Sequence, residues 1–140
     1  MKTLTLLSWL LRILAALIML QTLYFKFTAA EESVYIFSTL GMEPWGRIAT
    51  GIAELVASIL LLVPRTVSLG ALLGLGIMGG ALFSHLTVLG ISVKNDHGYL
   101  FYLCLTVMTC CIVLIFIHRL QLQSFLKLLI EKNKRITVSR

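Results

Sequence analysis

Residues 46–63 read GRIATGIAELVASILLLV. Past Arg47 the stretch holds a single charge, Glu54, among residues that hydrocarbon accepts. Read as a helix, Arg47, Gly51, Glu54 and Ser58 fall on one seam at steps of three and four, and the other faces are aliphatic. A soluble helix would be polar over much of its circumference. This one is apolar nearly all round and approaches the ~20 residues that cross a bilayer. Three more runs share that character, at about 4–27, 66–92 and 98–117.

The composition agrees. Hydrophobic residues make up 59% and charged residues 13%, with a mean hydropathy of +0.97; a soluble domain carries roughly 25% charged residues to face water. The expected fold is all-α, a four-helix transmembrane bundle in up-down-up-down order, forming one integral membrane domain over residues 1–140. A soluble enzyme is excluded. The first run begins like a secretory signal, and Thr28-Ala29-Ala30 offers small residues for cleavage. Its length and the interruption by Arg12 favour an uncleaved span instead.

Between the first two spans, Glu31-Glu32-Ser33 opens a short helix with Val34, Phe37 and Leu40 on one side, stopped by Gly41 and Pro44. With Tyr35 and Trp45 beside it, this segment suits an outer interfacial position over the mouth of the bundle. After His118-Arg119, the apolar residues Leu122, Phe125, Leu126, Leu129 and Ile130 alternate with Gln and Lys. Residues 119–140 therefore read as a basic amphipathic tail on the inner membrane surface.

The net charge is +6, and Lys127, Lys132, Lys134, Arg135 and Arg140 of the tail contribute heavily. Such placement marks a cytoplasmic flank rather than a nucleic-acid surface. Lys2, Arg65 and Arg119 share that side, whereas Glu31, Glu32, Glu43 and Asp96 lie on the other; Arg47 and Lys94 dilute the asymmetry without reversing it. Both termini are expected in the cytoplasm.

Charged residues inside a span cost ~2.5–3.5 kcal/mol on the insertion scale, so they face inward and find partners. Arg12, Lys26, Glu54 and His85 are the candidates. Ser8, Arg12, Ala15, Met19, Thr22 and Lys26 form one seam of the first helix. Gly70, Gly74, Met78, Ala81 and His85 form one of the third, and Tyr99, Tyr102, Thr106 and Thr109 one of the fourth. Depth places Lys26 near the outer end of its helix, Glu54 near the midplane, and His85 about 10 Å below the outer end at 1.5 Å per residue. An outer-half cluster of Lys26, Glu54 and His85 follows, with Arg12 able to reach Glu54 from below. The cluster either sets helix register alone or serves a ligand, a proton or a redox partner. Arg47, Arg65 and Tyr102 are secondary candidates, Tyr102 more readily as an anchor or packing residue.

His85 has no second His or Cys at metal-ligand spacing, so no metal site is expected. Cys104 and Cys111 lie about 10 Å apart along one helix face, and with Cys110 they read as small packing residues. Gly70-x-x-x-Gly74 and Gly76-x-x-x-Gly80 allow close helix approach, within the monomer or in a homodimer.

An arginine in the first span, Lys26 within Tyr24-Phe25-Lys26-Phe27, Glu54-Leu55-Val56-Ala57-Ser58, Pro64-Arg65 and a Gly-rich third span ending in His85 together resemble the DoxX-like family, from about residue 8 to 117. The resemblance implies a multi-pass protein of the bacterial inner membrane, with Arg12, Lys26, Glu54, Arg65 and His85 at the family's recurring polar positions. Some relatives are small membrane subunits of a thiosulfate–quinone oxidoreductase, which makes quinone the implied cofactor and a redox protein the implied partner. Membership alone does not confer catalysis, and this chain is not expected to be an enzyme by itself. A small proton-coupled transporter and a non-catalytic structural or assembly protein are the alternatives.

Overall fold

Hydrocarbon offers backbone amides no water, so a spanning segment must satisfy its own hydrogen bonds as a helix. A computed structural model describes residues 2–138, and it is 83% helical, without strands among those residues. The helices are α1 (Lys2–Phe27), α2 (Glu31–Thr39), α3 (Trp45–Leu62), α4 (Val67–Ser84), α5 (Tyr99–Ile117) and α6 (Arg119–Val138), with a π-helical turn at His85–Leu89 after α4. The readings that concern Arg140 and the side chains of Leu129, Lys132, Lys134 and Arg135 lie outside the described residues.

Four segments are long and apolar enough to cross a membrane: α1, α3, α4 with its π turn, and α5. They pack in a ring, α1 on α3 and α5, and α4 on α3 and α5. Between 28% and 39% of each spanning stretch is buried inside the bundle, so most side chains point outward. Most of those side chains are apolar, among them Leu10, Leu17, Ile52, Leu72 and Phe116. The bundle centre is filled by Ala15, Met19, Ala57, Leu61, Ala71, Val107, Cys111 and Leu114. Cys104, Cys110 and Cys111 are all buried and unbridged.

Local sequence sets the ends of these elements. The α1 terminus closes with Ala30 N–H donating to Phe25 O and Ala29 N–H to Lys26 O. Ala29 takes the left-handed conformation (φ 52°) that this closure needs. Helix α2 stops the same way at Gly41 (φ 68°), where a Cβ would be strained. Helix α2 then covers one end of the bundle, burying Ser33 and Phe37.

Before α5, Asp96 gathers the chain. Its Oδ1 accepts from Val93 N–H (2.8 Å) and Gly98 N–H (2.9 Å), and its Oδ2 from Leu100 N–H (2.9 Å). Burial pushes the carboxyl up, but these amides and a hydrogen bond from Ser92 outweigh it and hold Asp96 below its ordinary value.

Two expectations are corrected. Tyr99, Tyr102, Thr106 and Thr109 do not form an inward seam: all four are exposed, and of them only Tyr99 borders the cavity described below. The threonines donate to the carbonyls of Tyr102 and Leu105 at 2.8 Å, so their hydroxyls are satisfied within the helix and can face lipid. Tyr102 (63% exposed) is therefore an outer-surface residue. The glycines of α4 also divide. A Cβ on Gly70 would come within 2.6 Å of Leu61 N, and one on Gly74 within 2.9 Å of Cys111 Sγ. One on Gly76, Gly79 or Gly80 would meet nothing within 4 Å. Only the first glycine pair mediates close packing within the chain.

These contacts can be tested by stability. Gly70→Ala forces α3 from α4 and should cost about 1–3 kcal/mol, lowering the melting temperature in detergent, whereas Gly76→Ala should leave it unchanged. Asp96→Asn keeps the Oδ1 acceptor but puts an amide NH2, which cannot accept, opposite Leu100 N–H, and should cost about 1 kcal/mol. Because the folded-state value of Asp96 is depressed, its contribution is full above the unfolded value of ~3.9 and is lost as pH falls through the folded one. The melting gap between wild type and Asp96→Asn should accordingly be constant near neutrality and begin to close below about pH 4.

Candidate functional site: an ion pair facing a cavity

Helix α1 meets α3 antiparallel, and every charged side chain on their shared seam has a partner. Lys26 Nζ lies 3.1 Å from Glu54 Oε1 and 3.0 Å from Oε2. Glu54 is 3% exposed. The Thr22 hydroxyl donates to Met19 O at 3.0 Å and also reaches Glu54 Oε2 at 3.3 Å. Ser58 Oγ donates to the Glu54 carbonyl at 2.8 Å. The carboxylate is thus held by a cation and a hydroxyl, as a charge withdrawn from water requires.

The two arginines do something the sequence does not announce: each caps the other helix. Arg12, on α1, donates from Nε to Leu61 O (2.5 Å) and from Nη2 to Leu62 O (2.6 Å), the last carbonyls of α3. Arg47, on α3, donates from Nη1 to Lys26 O near the end of α1. Such carbonyls have no intrahelical donor and carry the negative end of the helix dipole. Arg12 also lies 3.8 Å from the centre of the Trp9 ring, and Arg47 is paired with Glu43 at 2.7–2.9 Å.

The expectation that Arg12 reaches Glu54 is therefore overturned. The α3 carbonyls are nearer and supply the acceptors, leaving Glu54 to Lys26. Arg65 is exposed in the α3–α4 connection and joins no cluster. His85 forms no bond to Glu54; its Nδ1 donates to Gly90 O at 2.8 Å, and its ring stands edge-on to Phe101 at 5.6 Å.

A cavity nevertheless unites Lys26, Glu54 and His85. It has a volume of about 800 Å³ and lies at the α2 end of the bundle. Its lining includes Thr22, Lys26 and Glu54 from α1 and α3, with His85, Asp96 and Tyr99 from the π turn, the loop before α5 and the start of α5. Ile18, Ile36, Phe37, Ile77, Leu100 and Leu103 make its walls mostly apolar. Gly76 and Gly80 also border it, and their missing side chains leave it room.

A second polar group sits at the opposite end, where Ser8 Oγ and His118 Nε2 are 2.8 Å apart. Burial and the Arg12 charge hold the His118 imidazole below its ordinary value. Gln121 accepts from Ser68 N–H and donates to Pro64 O, both at 3.0 Å, tying α6 to the first turn of α4 and to the α3–α4 connection. Sequence reasoning missed this end, because Ser8, His118 and Gln121 lie far apart in the chain and none is unusual for its position. Among the described residues no group of three or more His, Cys, Asp or Glu could hold a metal ion.

A lysine–carboxylate pair between apolar helices, facing a mostly apolar cavity, belongs to a membrane protein rather than a soluble one. The chain belongs to the DoxX-like family, whose model matches residues 10–115. The match spans the helices that carry Arg12, Lys26, Glu54 and His85, and leaves α6 outside it. No curated protein and no solved structure matches the chain.

The buried pair predicts a non-additive mutant series. Glu54→Gln alone strands the Lys26 ammonium, and Lys26→Met alone strands the carboxylate; breaking a buried pair costs ~3–5 kcal/mol. The double variant removes both charges and should melt well above either single variant in detergent. Additive losses would show that the two groups do not interact.

Proposed function

We propose that this protein is the small membrane subunit of a quinone-linked redox complex, and that its cavity holds the quinone head. The observation that carries the reading is the cavity itself. Its volume of about 800 Å³ lies in the range of small-molecule sites, ~300–1,000 Å³. Its apolar walls suit a ring and the start of a prenyl tail, and the Lys26–Glu54 pair and His85 offer polar contacts to ring oxygens. This chain's residues bind and orient the ligand, while a redox partner exchanges electrons with it.

Charge placement supports a bacterial inner-membrane setting with both termini in the cytoplasm. Lys2, Arg65, Arg119 and Lys127 lie toward the α6 end, and Glu31, Glu32, Glu43 and Asp96 toward the α2 end. An excess of Lys and Arg marks the cytoplasmic side. In this orientation the cavity occupies the outer half of the bilayer. The exposed rings of Tyr24, Tyr35 and Trp45 suit the outer headgroup level.

A proton-coupled carrier is the second reading, favoured by one feature: a carboxylate paired deep in the bundle yet bordering a cavity. Gentle purification separates the two. Wild-type protein should carry close to one quinone per chain. Gly80→Phe, which adds a ring at a cavity-lining position where a Cβ meets nothing within 4 Å, should lose it with little change in melting temperature. A preparation free of quinone and of any redox partner, together with unchanged respiration in a deletion strain, would remove the redox reading.

A further inference from the structure

The turn after α4 determines what His85 can say to a ligand. At Gly90 the backbone takes φ 76°, a conformation that only glycine adopts readily. It turns the Gly90 carbonyl onto His85 Nδ1 at 2.8 Å. A carbonyl only accepts, so Nδ1 carries the proton, and in the neutral ring Nε2 is left with a lone pair and no hydrogen. Nε2 has no protein partner among the described residues. It is not sealed either: Ser68 Oγ is the one side-chain polar atom buried without a partner among those residues. His85 lines the cavity, and Nε2 is the ring nitrogen it has left to offer there. Lys26 lines the same space, and its ammonium brings hydrogens to the Glu54 oxygens.

On the proposed reading of the cavity as a quinone site, we infer that it selects the reduced form, a quinol, through His85. A quinol hydroxyl can donate to Nε2 and still accept from Lys26 at its other oxygen. A quinone has only carbonyl oxygens, and one placed against Nε2 sets acceptor against acceptor. Leaving a buried polar group unmatched costs ~1–3 kcal/mol, so the quinol should bind about tenfold more tightly or better. Because the orienting bond comes from Gly90, the discrimination is built into the backbone of the turn and needs no metal or second histidine.

The test compares decylubiquinone with decylubiquinol, bound anaerobically to the purified full-length protein in detergent at pH 8. The expected result is a dissociation constant about tenfold lower for the quinol. Read as a potential, tenfold raises the bound couple by about 30 mV for two electrons. His85→Phe keeps an aromatic ring beside Phe101 and removes the acceptor. It should bind both forms equally, with quinone affinity no weaker than in wild type. Equal binding by wild type, or tighter binding of the quinone, overturns the inference and leaves the quinone site standing. A quinol preference that survives in His85→Phe removes the assignment to His85. If neither form binds, the inference and the reading of the cavity both fail. Should His85→Phe not fold, the comparison of the two forms on wild type still decides.

Discussion

A helix that ends in or near hydrocarbon must find donors for its last carbonyl oxygens, and α1 and α3 solve that problem for each other. Arg12 of α1 caps Leu61 and Leu62 of α3, and Arg47 of α3 caps Lys26 of α1. Each guanidinium supplies several hydrogens and a positive charge at the negative end of a helix dipole. Because the two contacts lie at opposite ends of an antiparallel pair, they fix its rotation and its axial register together. The seam between them, Ala15 and Met19 on α1 with Ala57 and Ser58 on α3, is then buried by geometry. Glu54 falls opposite Lys26 as a consequence.

The second helix pair is held differently, and the difference makes room for a site. Toward the α6 end, Gly70 and Gly74 bring the backbone of α4 against Leu60 and Leu61 and against Cys111. No polar bond is needed where small residues let dispersion contacts form. Toward the α2 end the same helix carries Gly76 and Gly80, which meet no neighbour, and there the helices leave the cavity. Helix α4 therefore uses glycine twice to opposite effect, first to close and then to open. The π-helical turn that follows brings His85 to the cavity wall and spends its first ring nitrogen on the backbone. Helix α2 covers this end through Phe37, and Lys94 in the α4–α5 connection reaches back to Glu31 of α2.

Much of this is legible in the amino-acid sequence. The spans follow from hydropathy alone, because lipid imposes one solution on twenty apolar residues. The seams of α1 and α3 follow from helical spacing, since buried charges must lie on the one face that avoids lipid. The same rule misreads α5. Thr106 and Thr109 are polar by type, but each hydroxyl is satisfied by the carbonyl four residues back, so no inward turn is required. The inward face is instead Cys104, Val107, Cys111 and Leu114, which residue type does not distinguish from the outward leucines. The partner of Arg12 escapes the sequence for a related reason. Counting side-chain acids leaves Glu54 alone in the bilayer, but the acceptors that matter belong to the backbone of Leu61 and Leu62, and no sequence pattern marks them.

Those backbone acceptors also bear on what the Lys26–Glu54 pair is for. A buried ion pair is weak grounds for stability, because desolvating two charges offsets most of their attraction, and apolar residues of similar size often do as well. Its best-attested structural use is to set register. Here the register of α1 against α3 is already set at both ends by the arginine caps, so the pair is redundant for that purpose. It also borders a cavity rather than the filled centre of the bundle, where a purely structural pair would gain most from its attraction. A desolvated lysine and carboxylate that are not needed to align their helices, and that face a space able to hold a ring, are best understood through what enters that space. The seam thus divides its work: Arg12 and Arg47 hold the helices, and Lys26 and Glu54 are free to serve the ligand proposed for the cavity.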